Sequence, residues 1–335
     1  MKKLSIKKLS QYLEKIVKHN IQSSLMIWGA PGIGKSSVVQ MVAQQHDLEL
    51  IDLRISQLAP TDLRGLPVPE NNKAKWYPPE FLPTEGKGIL FLDEINMAPP
   101  AIQGIAQQLI LDRRVGSYEV PEGWFIWGAG NRKEDFASVF DMPAPLANRF
   151  IHLEASTNLD EFKTYALERK IDDKIISFLN YRPQLLHKVD KNSPAWPSPR
   201  SWEIANKLLG GDLDIDPAVG KGAAGEFRSF VKVYKSLPDI GKILSGKLNP
   251  KFPKDLSARY ALTCALAVRA KDIKEVKNAF IYLEEKANLE WLTQCAYDLT
   301  TIWKESKNIN ELVDLIAGND QLLNVAKRIQ KLMAA

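Results

Sequence analysis

The chemistry of this chain is densest in Gly29-Ala30-Pro31-Gly32-Ile33-Gly34-Lys35-Ser36, which fill every position of G-x-x-x-x-G-K-[ST]. Glycines in such a loop let backbone N–H groups come close to an anion, and the helix start that follows adds partial positive charge. The lysine of the pattern reaches the β- and γ-phosphates of a nucleotide, and the neighbouring hydroxyl holds Mg²⁺. Lys35 and Ser36 take those places, with Ser37 continuing into the helix. A second acidic centre is Asp93-Glu94, which follows the apolar run Ile89-Leu90-Phe91-Leu92 and comes 58 residues after Lys35. Two carboxylates at the carboxyl end of a buried strand lie where open sheets bind ligands. Asp93 there would hold Mg²⁺ through water, leaving Glu94 to orient and polarise an attacking water.

Three more polar residues sit at element ends. Asn131 follows the apolar stretch 125–130, as an amide for a γ-phosphate or lytic water, or as a turn residue. Arg149 stands just before a last strand, where a surface ion pair is the commoner fate of an arginine. Arg200 opens a helix after the proline-stiffened approach 194–199.

The elements that must position these groups follow from hydrophobic pattern. Strands are expected at 25–28, 48–53, 89–93, 125–130 and 151–153, with helices around 36–45 and 100–111. This α/β alternation predicts a parallel sheet covered on both faces. Two segments interrupt it: 65–79, rich in Pro and Asn with Trp76-Tyr77 near its end, and 113–123, which reads as a small hairpin around Gly116-Ser117. Leu4, Leu9, Leu13, Ile16 and Val17 read as one face of a leading helix. Past residue 155 the pattern is helical, with candidates at 158–170, 201–209, 224–235, 256–270, 274–287, 289–305 and 309–333 and a subdivision near Asp216.

Composition narrows the classes. A net charge of +5 over 335 residues, spread along the chain, does not by itself argue for nucleic acid. No run of 18 apolar residues exists to span a bilayer, and no signal-peptide core follows the basic start, so a cytoplasmic protein is expected. Cys264 and Cys295 lie in apolar helical text and read as core thiols. His46 and His152 have no Cys or carboxylate at ligand spacing, which argues against zinc.

Together these motifs resemble an AAA+ ATPase: Walker A at 29–36, Walker B at 89–94, Asn131 as sensor 1, Arg149 as arginine finger and Arg200 as sensor 2. More narrowly, Asp62-Leu63-Arg64-Gly65-Leu66-Pro67, Leu92-Asp93-Glu94-Ile95-Asn96 and Ala129-Gly130-Asn131-Arg132 are similar to the MoxR branch, relatives of magnesium-chelatase ATPase subunits. The resemblance covers about 20–210. It implies an AAA+ P-loop NTPase core at 1–155 with a five-stranded parallel sheet of order 5-1-4-3-2 and an all-α lid at 156–215 carrying Arg200. Residues 216–335, a C-terminal helical region, carry no motif of the resemblance, and their helices rest on periodicity alone.

It also implies a homo-oligomeric ring, usually a hexamer, with ATP and Mg²⁺ between subunits and Arg149 acting on the neighbour's nucleotide. Residues 65–77 would match the helix-2 insert and 113–123 the hairpin before sensor 1. Trp76 and Tyr77 are then candidates for substrate contact, or else aromatics that close a loop over the core. Should Arg149 not be the finger, Arg113, Arg114 and Arg132 come next.

The implied function is ATP-driven remodelling or activation of a protein client, chaperone-like, with a von Willebrand A domain partner. The short insert, without the pore loop of protein-threading machines, fits local remodelling better than processive unfolding. A nucleic-acid motor or loader is the alternative, though no concentrated Lys/Arg stripe or nucleic-acid module supports it. A small-molecule kinase fits less well, since Glu94 beside Asp93 argues for hydrolysis. Guanine specificity is not indicated, because Asn206-Lys207-Leu208-Leu209 lacks the aspartate of Asn-Lys-x-Asp.

Overall fold

The computed structural model describes residues 1–135, 139–303 and 309–318. It divides into two compact units, 1–158 and the residues from Leu159 onward. In chain order the first unit contains β1 (Lys2–Ser5), α1 (Ile6–Lys18), β2 (Leu25–Trp28), α2 (Lys35–Gln45), β3 (Glu49–Arg54) and α3 (Pro60–Arg64). There follow β4 (Leu66–Glu70), β5 (Lys73–Tyr77), β6 (Gly88–Asp93), α4 (Pro100–Asp112), β7 (Arg114–Val115) and β8 (Tyr118–Glu119). The unit ends with β9 (Trp124–Gly130), α5 (Ala144–Ala147) and β10 (Ile151–Ser156).

The main sheet is parallel and has six strands in the order β1-β10-β2-β9-β6-β3. The five expected strands keep their expected order 5-1-4-3-2, as β10-β2-β9-β6-β3, and the correction is to their number, six rather than five. The added strand is β1, which pairs with β10 through Leu4 opposite Ala155. Leu4 therefore belongs to a strand rather than to the leading helix, whose buried residues are Leu9, Ser10, Leu13 and Ile16. In Lys2–Ser5 only Leu4 is buried, so an edge strand of this kind carries almost no hydrophobic signature.

The inner strands β2, β6 and β9 read as continuous apolar runs because both their faces are covered. Alternate residues feed opposite sides. Leu25, Ile27, Ile89, Phe91, Phe125 and Trp127 pack with α1 and α2, while Met26, Leu90, Leu92 and Ile126 pack with α4. Within the segment 65–79, β4 and β5 form an antiparallel hairpin whose strand residues are all exposed. A small hairpin, β7–β8, also forms where the glycine turn predicts one.

The second unit is helical, including Leu159–Glu168, Asp173–Tyr181, Pro199–Gly210, Lys221–Lys235, Leu256–Arg269, Ile273–Lys286, Leu289–Trp303 and Ile309–Ala317. A single hydrophobic cluster runs from Phe162 to Ile316. Cys264 and Cys295 are buried as free thiols. Helix Asp173–Tyr181 was not expected from the pattern; Asp172 starts it, its carboxylate accepting from Lys174 N at 2.8 Å. The expected helix 309–333 is seen over Ile309–Ala317, and its remainder from residue 319, like residues 304–305 of the expected helix 289–305, lies outside the described residues.

Candidate active site

The loop Gly29–Gly34 leaves the carboxyl end of β2 and enters α2 at Lys35. Gly32 and Gly34 hold φ of 78° and 104°, the left-handed region that side chains other than glycine's avoid, and so turn the backbone into a helix N-terminus. The Lys35 ammonium bends back over this loop. It donates to Gly29 O at 2.7 Å, Ala30 O at 3.1 Å and Asn131 Oδ1 at 2.9 Å.

The next residue, Ser36, donates its hydroxyl to Asp93 Oδ2 at 2.7 Å. The other Asp93 oxygen accepts from Glu94 N at 2.8 Å. Glu94 itself sits in the left-handed region, φ 57°, at the break between β6 and a 3₁₀ turn over Ile95–Met97. Backbone strain of this kind at a non-glycine residue costs on the order of 1–3 kcal/mol and tends to collect at functional sites. Its carboxylate accepts from Ser56 Oγ at 2.6 Å.

Lys35, Ser36, Asp93, Glu94 and Asn131 thus come together at the carboxyl edge of the sheet from three different strand ends. Asp52 and Arg54 of β3 flank them, Arg54 paired in register with Asp93. Partial burial raises the Asp52 carboxyl above its ordinary range; Asp93 and Glu94 raise it further, and Arg54 opposes them.

Arg149 lies elsewhere in the same unit. Ile151 is at the level of Leu25, four residues or about 13 Å before the level of Gly29, and Arg149 precedes it. Arg149 therefore stands at the opposite end of the sheet from the phosphate loop, beyond the reach of that loop in its own chain. It is exposed and has no side-chain partner among the described residues. The turn that displays it is braced by His152: Trp28 Nε1 donates to its Nδ1 at 2.8 Å, and its Nε2 donates to Ala147 O at 2.7 Å.

Arg200 is exposed in the second unit, in the first turn of helix Pro199–Gly210, where Ser198 Oγ accepts from Ser201 N at 3.1 Å. Of the reserve arginines, Arg113 is tied to Pro121 O and Trp124 O at 2.8 and 2.7 Å. Arg132 is clamped by Asp135 and Glu154 at 2.7 and 2.6 Å, contacts that outweigh its partial burial and raise its pKa. Both are committed to the fold.

Trp76 and Tyr77 are 37% and 45% exposed and do not close over the core. No group of His, Cys, Asp and Glu among the described residues has the arrangement of a metal site made by them alone. Sequence reasoning passed over Ser56, which lies in a short 3₁₀ turn after β3 and carries no motif of its own.

Residues 24–150 match the AAA domain family, dynein-related subfamily. Midasin of Giardia intestinalis is 26% identical over 141 residues, which cover 39% of this chain and 3% of that protein, so the chain matches only a small part of that relative. Solved structures that are similar include the RuvB Holliday junction branch migration motor of Thermotoga maritima, at 16% identity and a TM-score of 0.42, covering 84% of this chain and 86% of that one. NtrX of Brucella abortus in complex with ADP gives 13% identity and a TM-score of 0.36, covering 97% of this chain and 68% of that one. No described helix is long and apolar enough to cross a membrane. The family match falls on the strands and loops that converge on Lys35, and it marks residues 24–150 as a domain similar to the AAA domain family.

Proposed function

We propose that the chain works as a homo-oligomeric ring, hexameric in its simplest form, that couples ATP hydrolysis to local remodelling or activation of a protein client. The observation that carries this reading is the place of Arg149: exposed, and at the end of the sheet away from its own phosphate loop. An arginine so placed serves a nucleotide only across a subunit boundary. In this reading Lys35 exchanges its carbonyl and amide partners for β- and γ-phosphate oxygens, and the amide groups of Gly29–Ser37 cradle the phosphates.

Ser36 and Asp93, two hard-oxygen donors already 2.7 Å apart, suit Mg²⁺ and would hold it. Bound there, the ion would neutralise charge on the phosphates. Glu94 accepts the proton of the attacking water, and Asn131 orients that water or the γ-phosphate. Residues 156–215 act as the lid that brings Arg200 to the nucleotide, and 216–335 dock the partner. A MoxR-type role with a von Willebrand A domain partner, in the cytoplasm, is the specific form we favour, on the strength of the motifs at 62–67, 92–96 and 129–132.

The test is the mass in solution of Glu94→Gln, which should bind Mg·ATP without turning it over. A shift toward about six subunits on adding Mg·ATP supports the ring. A nucleotide-bound monomer at all concentrations rules it out for the isolated chain. ATPase stimulation by DNA or RNA at physiological salt would replace the protein client with a nucleic acid, since mild basicity binds weakly at low salt anyway.

A further inference from the structure

Asn96 is 3% exposed, a buried amide for which the phosphate chemistry gives no role. Its two side-chain atoms grip one peptide unit each side of Asn131. Nδ2 donates to Asn131 O at 2.7 Å, and Oδ1 accepts from Asn131 N at 3.2 Å. Its backbone carbonyl accepts from Phe140 N at 2.7 Å, in the segment that leads to α5 and Arg149. Asn96 also lies in the 3₁₀ turn that Glu94 begins. Three chemically active places therefore meet at one residue: the acid pair, the amide that touches Lys35, and the approach to Arg149.

The grip has a steric counterpart in the last residue of β9. A Cβ on Gly130 would lie 2.4 Å from Asn96 Oδ1 and 2.7 Å from Met26 Cε, so the strand must end in glycine for the amide to close on it. The Asn131 side chain is thereby fixed at both ends: Oδ1 accepts from Lys35, and Nδ2 lies 3.3 Å from Met97 Sδ, one residue beyond Asn96.

We propose that Asn96 is a positioning residue for hydrolysis, locking Glu94, Asn131 and the Arg149 segment into one arrangement so that the acid and the amide face the same γ-phosphate. Its effect falls on turnover rather than on nucleotide affinity, because the phosphate loop takes no bond from it. The inference rests on the ATPase assignment, and wild-type turnover that Glu94→Gln abolishes establishes that assignment separately.

The experiment compares Asn96→Ala, Asn96→Asp and Gly130→Ala in the full chain, measuring kcat, KM for ATP, equilibrium binding of a fluorescent ATP analogue, and thermal melting. Asn96→Asp keeps the shape but turns a carboxylate oxygen toward Asn131 O. Misplacement of about 1 Å in reacting groups costs roughly a hundredfold in rate, so kcat should fall about 10- to 100-fold, with analogue affinity changed less than about threefold. Gly130→Ala, which pushes the amide off without removing it, should show the same split, and Asn96→Ala/Gly130→Ala should be no slower than the worse single variant. Ile126→Val on the same strand is the control, lowering the melting temperature while leaving kcat as in wild type. The proposal is overturned if the Asn96 variants melt lower with kcat unchanged, if analogue binding falls in step with kcat, or if the two sites add fully. Should Asn96→Ala not fold, the split or its absence in Asn96→Asp or Gly130→Ala decides.

Discussion

Each of the two units buries a lysine, and the two are held differently. Lys35, 9% exposed, donates to neutral oxygens: the carbonyls of Gly29 and Ala30 and the amide of Asn131. Lys163, 2% exposed, donates to carboxylates, Asp298 at 2.8 Å and Asp160 at 3.2 Å. Asp298 is in turn held by Asn180 at 2.9 Å and Gln294 at 3.1 Å. A neutral oxygen is readily traded for a phosphate oxygen, since the exchange adds charge attraction. An ammonium already matched by two carboxylates and sealed in a helical core has nothing to gain from a ligand. The first arrangement is a site and the second a fastening.

The sharpest break of this contrast is Arg149→Ala. An arginine finger is worth roughly 10³–10⁵ in rate, so steady-state phosphate release should drop by at least about a thousandfold with nucleotide binding kept. Mixing Arg149→Ala with Glu94→Gln subunits should restore part of the activity, because one supplies an intact finger and the other an intact water-activating acid. Activity that stays lost in the mixture would place Arg149 outside the reaction.

The two lysines give the next largest effects, of opposite kind. Lys35→Ala should leave the melting curve near wild type and weaken ATP analogue binding by about ten- to a hundredfold, the range of a lost charge-assisted hydrogen bond. Lys163→Ala leaves Asp298 buried without its main counter-charge and should cost about 3–5 kcal/mol in denaturant unfolding. Burial lowers the Lys163 pKa, but Asp298 and then Cys264 and Asp160 outweigh it, so the net shift is upward from 10.5. A raised folded value means that its contribution is fully present below the ordinary lysine range and fades only as pH rises through the raised one. Unfolding of wild type and Lys163→Ala should therefore differ by a constant amount from pH 6 to about 9.

The site was more legible in the sequence than the scaffold around it. Lys35, Ser36, Asp93, Glu94 and Asn131 announce themselves by residue type and spacing after apolar runs, and the structure gathers all five. What escaped has weak local signal. β1 is an edge strand with a single buried residue, and helix Asp173–Tyr181 is short and sits between a turn and Pro183. Ser56 and Asn96 act through contacts 38 and 35 residues away in sequence, which no periodicity encodes. Arg113 and Arg132 show the converse: sequence lists arginines near element ends, and only their partners separate a brace from a free cation.

Smaller effects test how tightly the acid edge is tuned. Ser56→Ala removes the hydroxyl on Glu94 and should change kcat by less than about tenfold, the equivalent of one hydrogen bond near 1 kcal/mol. The smallest is Asp52→Asn. The raised Asp52 pKa means that the folded chain holds a proton the unfolded chain releases, so above the folded value its charge opposes folding, first through its partial burial and then through repulsion by Asp93 and Glu94. Asn at this position should raise the melting temperature slightly at neutral pH, and the gain should vanish below about pH 4, where the unfolded carboxyl is protonated as well. Mg·ATP should shrink the gain, because an ion between Ser36 and Asp93 relieves the same repulsion. A gain that survives saturating Mg·ATP unchanged would mean that the ion sits away from this carboxylate edge, and the metal roles of Ser36 and Asp93 would fall with it.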